Sequence, residues 1–264
     1  MQTLTLPHRA GYSSAIAAPF LIEHSDKPTV LCVKWGRKYG ADYVNRLFSM
    51  VRRQLSIPHR FICLTDDPNG LEPTIQTVPL PPSSLEFCWS KLWIFSPGLA
   101  PAGSTLLYLD LDVVVTDGLD ELLEYRSALD FVSVLDWNRW WSSQFNSSVM
   151  RFVAGAHADL YKHFLEAVEA GKLVKKREWD ECLQSRDKVV YWRGLRRYGS
   201  DQEWISRQLR QQGRLGERSY PGPWILSYKR HCRKGLPAGA KVIVFHGEPK
   251  PHEVRDEHIV RHWK

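Results

Sequence analysis

Apolar positions in the first third of the chain follow two different periods. Thr29 to Lys34, TVLCVK, is a short β-branched run, Ala41 to Gln54 spaces its apolar residues along one face of a helix, and RFICLT from Arg60 is strand-like again. That order predicts an α/β opening. Beyond a proline-rich connection at Pro79 to Pro82, the pattern predicts a helix around Cys88 to Phe95 and a strand, TLLYLD, over Thr105 to Asp110. Further strands are expected at Phe131 to Leu135, near Phe145 to Phe152 and at Lys241 to His246, with helices around His157 to Ala170 and from Asp201 to Gln212. The stretch Lys172 to Ser200 is rich in charge and aromatic residues without a clean period, and reads as an excursion from the core. The economical organisation is a loosely structured leader over 1–28, a single domain over 29–256 and a basic C-terminal tail, expected to fray, over 257–264.

Composition narrows the class. A chain of 264 residues, 43% hydrophobic and 25% charged, suits one large soluble core and not a disordered segment. The longest apolar run, Ala15 to Ile22, contains Pro19 and falls well short of the ~20 residues of a membrane span, so no transmembrane helix is expected, and no secretory signal. Five cysteines, widely spaced and without C-x-x-C, argue against a zinc ribbon or disulfide framework and fit a reducing cytoplasm. The net charge of +7 favours an anionic ligand, an acidic membrane surface or a nucleic acid without choosing among them. GRKYG, from Gly36, lacks the spacing of a dinucleotide fingerprint or a P-loop.

Two segments carry candidate chemistry. In YLDLDVVV, Tyr108 to Val115, two carboxylates interrupt an apolar run, and alternation places Asp110 and Asp112 on the same side of an extended chain. Such a pair fits either a strand-end turn of solvated acids or a site for a hard divalent cation. In KVIVFHGEPKPH, Lys241 to His252, a strand delivers His246 into a Gly- and Pro-containing loop. His246 reads as a neutral imidazole ligand or a structural histidine, and Lys250, between Pro249 and Pro251, as a partner for an anion such as phosphate or a solvated lysine.

Both segments follow strands of one sheet and can meet at its carboxyl edge. Together they resemble the retaining nucleotide-sugar glycosyltransferases of family 8, which include glycogenin and the bacterial lipopolysaccharide galactosyl- and glucosyltransferases. In that family a strand ending in D-x-D is followed much later by an H-x-G-x-x-K-P-W-like segment. His246 to His252 looks like it, with His246 adjacent to Gly247 and with His252 where the family often has Trp. Asn146 in FNSSVM, the pair Asp201-Gln202 and Lys91 in SKLWIF are similar to further family positions around the donor.

The resemblance implies a GT-A fold, Rossmann-like with a central mixed sheet, transferring a hexose from a nucleotide-diphosphate sugar, UDP-glucose or UDP-galactose, to a saccharide or glycolipid acceptor with retention. It implies Mn²⁺, with Mg²⁺ chemically possible, held by Asp110, Asp112 and His246. Lys91, Asp110, Asn146, Gly247 and Lys250 would contact the donor. Lys34 to Tyr39 would hold base and ribose, with Trp35 or Tyr39 either stacking on the base or packing the loop. Asp201 and Gln202 would line the reacting face. Gln202 is a poor nucleophile, which favours front-side attack over double displacement. WNRWW offers Trp140 and Trp141 for acceptor stacking. The competing readings are a metal-dependent nucleotidyltransferase or phosphohydrolase using the same acids, and a basic nucleic-acid-binding module around Arg193, for which no binding motif speaks. Nucleic acid is not an expected partner. The basic tail adds the option of peripheral contact with an acidic membrane face.

Overall fold

The computed structural model describes residues 21–80, 87–137, 144–169, 200–211 and 218–264. Its first half runs β1 (Thr29–Lys34), α1 (Ala41–Gln54), β2 (Arg60–Thr65), β3 (Gln76–Pro79), a 3-10 helix (Phe87–Phe95), β4 (Thr105–Leu109), β5 (Val113–Val115) and α2 (Asp120–Glu124). The second runs β6 (Phe131–Leu135), β7 (Phe145–Val153), α3 (Ala158–Glu169), α4 (Asp201–Gln211), β8 (Ile225–Ser227), a π-helix (Tyr228–Cys232), β9 (Val242–Val244), a 3-10 turn (Pro251–Glu253) and α5 (Glu257–Val260).

β1 is buried along its whole length, so its sequence is a continuous apolar run and not an alternation. Val30 and Cys32 face a core shared with α1, whereas Leu31 and Val33 face one shared with the 3-10 helix, α3 and α4. The six-stranded sheet has the order β3-β2-β1-β4-β7-β6. β1 to β4 are parallel, and β7 and β6 close the far side antiparallel. The chain leaves β1 toward β2 and β3, then returns to place β4 on the opposite side of β1. The carboxyl ends of β1 and β4 therefore flank a topological switch point, where open α/β sheets bind their ligands.

A second sheet, β5-β9-β8, stands beside the first. The sequence suggests one strand through Asp110 and on into VVV, but the strand stops at Leu109, turns at Leu111–Asp112 and joins the other sheet as β5. The expected same-side placement of Asp110 and Asp112 by alternation therefore fails, and a turn brings them together instead. The segment expected to fray is docked: Ile259 and Trp263 are buried, and the Trp263 ring meets Tyr43 edge-on at 5.1 Å between centroids. Arg53 donates to the carbonyls of His262 and Lys264. Residues 21–28 are likewise tied down, with Ile22 fully buried and its N–H donating to the Leu99 carbonyl. The rest of the expected leader, and 172–199 of the excursion, lie outside the described residues. Among the described residues no helix is long and apolar enough to cross a membrane.

Candidate functional site

A cavity of about 280 Å³ opens at the switch point, walled by the loop after β1, by Asp110 and Asp112, by β7 and α4, and by His246 after β9. A larger hollow of about 520 Å³ lies by the amino ends of β1 and β4. Its charged walls, His24, Asp26, Lys27 and Glu124, are all exposed, so it lacks the buried, converging polar groups of the first.

Lys91 organises one side of the smaller cavity. The 3-10 helix carries its ammonium into the interior, 2.9 Å from Asp110 Oδ1 and 3.0 Å from Asp201 Oδ2, and it also donates to Ser147 Oγ at 3.1 Å. Tyr108 O–H donates to the same Asp110 oxygen at 2.6 Å. Burial alone would raise the Asp110 carboxyl, but the Lys91 ammonium and these hydrogen bonds outweigh it and hold Asp110 below the usual carboxylate range. Lys91 is pushed up in turn: desolvation works against its charge, and the two carboxylates more than compensate.

Asp112 belongs to a second network. Its Oδ2 accepts from the buried Lys250 ammonium at 2.6 Å and from Tyr39 O–H at 2.8 Å. The Tyr39 hydroxyl is bound to the acid, and its ring carries Lys38 and Lys250 at 5.1 and 5.6 Å from the centroid. Lys250 is steadied by Glu253, whose carboxylate accepts from the Lys250 backbone N–H at 2.6 Å. Trp35 lines the cavity, and the loop that carries it is pinned by Gly36 N–H donating to Asp66 Oδ2 at 2.8 Å.

On the third wall Asn146 Nδ2 donates to Gln202 Oε1 at 3.2 Å, and Gln202 Nε2 donates to Asp136 Oδ2 at 2.8 Å. Asp136 is buried and was missed. A signal for it existed, since FVSVLD is another apolar strand run closed by an acid. His246 hydrogen-bonds Ser227 Oγ through Nε2 at 2.6 Å, and the Trp137 ring stacks on it at 6.3 Å. Burial, then the nearby Lys229, push the imidazole below its ordinary value, so it is neutral at pH 7.

Asp110, Asp112, Asn146, Asp201, Gln202, Lys91, Trp35, Tyr39 and His246 thus converge, with Lys250 bound to one of the acids. Gly247 follows His246 in a left-handed conformation, φ +66°. Lys34 does not join them: its ammonium donates to the Asp67 carbonyl at 3.1 Å, and it is absent from the cavity wall. Trp140 and Trp141, the acceptor candidates, lie outside the described residues.

Two carboxylates and a neutral imidazole are suitable donors for a divalent ion, but their arrangement here does not fit one. Among the described residues no three His, Cys, Asp or Glu side chains are gathered closely enough to hold a metal, and Asp112 is committed to Lys250 and Tyr39.

The fold is that of the GT-A glycosyltransferases. The galactosyltransferase LgtC, in complex with donor and acceptor sugar analogues, superposes with a TM-score of 0.53 at 14% identity, over 86% of this chain and 90% of that one. An active-site mutant of LgtC gives 0.52 at 12%, over 88% and 93%. The glycosyltransferase GlyE of Streptococcus pneumoniae TIGR4, apo form, gives 0.54 at 13%, over 89% of this chain and 59% of that one. No protein-family model and no curated protein sequence matches the chain.

Proposed function

We propose that the protein is a glycosyltransferase that binds a nucleoside-diphosphate sugar, UDP-glucose or UDP-galactose, in the switch-point cavity and transfers the hexose to a saccharide or glycolipid acceptor with retention. The observation that carries this reading is the pair of ammonium–carboxylate networks, Lys91 with Asp110 and Asp201 and Lys250 with Asp112, facing one crevice of a glycosyltransferase fold. The Trp35 loop takes the base. The anionic diphosphate draws the Lys250 ammonium from Asp112, and Lys250 then balances charge on the leaving group as the glycosidic C–O bond breaks. Asp201 and Asp136, held by Lys91 and Gln202, stand ready to accept from sugar hydroxyls. The acceptor oxygen bonds the anomeric carbon on the face the diphosphate leaves, and its proton passes to the departing phosphate oxygen. That route needs no protein nucleophile, which suits an amide at Gln202.

The deciding experiment is calorimetric titration of UDP into the wild type and Asp112→Asn, each with and without Mn²⁺. Metal-free UDP binding to the wild type that Asp112→Asn leaves equal or tightens supports direct pairing of the diphosphate with Lys250, whereas a loss of about tenfold in Asp112→Asn seen only with Mn²⁺ reports that a cation joins at this acid. If UDP, GDP, ADP and CMP all fail to bind the wild type, the reading is wrong.

A further inference from the structure

β8 and β9 run parallel, so their carboxyl ends emerge at one edge: Ser227 leads directly into the π-helix, and Val244 leads through Phe245 into His246 and Gly247. The two exits are bound together. Ser227 Oγ meets His246 Nε2, and Trp137 stacks on His246 while also meeting His231 of the π-helix edge-on at 6.2 Å. A π-turn is a rare, locally costly geometry that recurs at functional sites. Here it carries Lys229 over the backbone of Gly247.

That contact is close. A methyl group built on Gly247 would stand 3.1 Å from Lys229 Nζ, so the glycine leaves the lysine room to lie against the loop, in addition to allowing its left-handed φ. Lys229 is half-buried and has no carboxylate or hydrogen-bond acceptor among the described residues. Of the other lysines at the site, Lys38 is exposed and lies over the Tyr39 ring, and the buried Lys91 and Lys250 are both neutralised by carboxylates. A partly desolvated ammonium without a counter-ion is unfavourable unless an anion arrives to meet it.

We infer that Lys229, held over Gly247 by the π-helix after β8, is a further positioning residue for the donor and contacts its distal phosphate, so that the site distinguishes a nucleoside diphosphate from a monophosphate. This rests on the donor reading given above. Lys250 is tied up at Asp112 until the ligand arrives, whereas Lys229 is available beforehand and would meet the diphosphate first.

The test is calorimetric titration of UDP and of UMP into the full chain, as wild type, Lys229→Met and Lys229→Arg. Lys229→Met should weaken UDP about tenfold and leave UMP within twofold, with Lys229→Arg restoring most of the loss and melting temperatures matching within a degree. Equal UDP affinity in wild type and Lys229→Met overturns this inference alone. Parallel losses of UDP and UMP, with Arg failing to rescue, assign Lys229 a packing role and overturn it too. A wild type that binds no nucleoside diphosphate overturns the donor reading, and this inference with it.

Discussion

Lys91 is the residue whose removal should be felt most sharply, because its buried ammonium separates the buried carboxylate of Asp201 from the half-buried one of Asp110. Removing one member of a buried charge cluster typically costs about 3–5 kcal/mol, since the remaining charges lose their compensation. Lys91→Met should therefore lower neutral-pH stability by that order in urea or thermal melts. The pH dependence should also flatten. In the wild type Asp110 sits below its ordinary value, so the unfolded chain binds more protons beneath about pH 4, and stability falls as pH drops through that window and is complete above it. With Lys91 gone, burial is opposed only by the hydrogen bonds from Tyr108 and Ser148, so Asp110 moves up from its wild-type value and the loss of stability on the acid side should shrink. Parallel pH profiles for the two proteins would refute this account. A smaller effect is expected for Tyr39→Phe, which removes one of the two donors to Asp112 and should change UDP affinity by roughly tenfold or less, the range of an ordinary hydrogen bond after its exchange with water. The chain's pattern revealed which acids matter here, because carboxylates inside apolar runs are conspicuous. It did not reveal their partners: Tyr39, Lys91 and Lys250 lie far from the acids in sequence, and only the sheet order brings them together.

At the level of elements, the end of the chain makes the clearest prediction. Trp263 packs on Tyr43, its ring lies 5.7 Å from the Arg46 guanidinium carbon, and Tyr43 hydrogen-bonds His252 two residues after Lys250. Trp263→Ala should lose about 3–5 kcal/mol, as for other large aromatic truncations in cores, and should also weaken UDP binding by loosening the turn that holds Lys250. A loss of stability with unchanged UDP affinity would separate the docked end from the site. This docking was not legible in the sequence: a four-residue helix has too few positions to show a period, and its basic residues disguise the buried Ile259 and Trp263. β3 and β8, of four and three residues, escaped for the same reason. β5 was read on from β4 because alternation through Asp110 and Asp112 fits an extended chain as well as a turn and hides where the chain changes sheets, while α1 and α4 showed by their helical period and β1 and β2 as largely apolar runs of six residues.

For the whole molecule, ligand linkage provides a reading independent of turnover. A nucleotide that binds only the folded state adds about 2.7 kcal/mol at a hundredfold excess over Kd. UDP should raise the melting temperature of the wild type by several degrees and that of Lys250→Met much less; equal shifts would place the nucleotide elsewhere. The general architecture was legible because a buried parallel strand, a crossover helix and a second parallel strand leave few topologies open. The acceptor was not, since tryptophans suit a sugar face and a core equally well.

The turn at Leu111 and Asp112 does more than bring two acids together. Asp110 is held by the 3-10 helix and α4 against the large sheet, and Asp112 by the C-terminal loop of the small one. The gap between these neighbouring carboxylates is therefore a caliper whose jaws are fixed to separate layers. Any sliding of one layer past the other is read out where the donor phosphates would lie, so substitutions remote from the cavity can tune the reaction without touching a ligand.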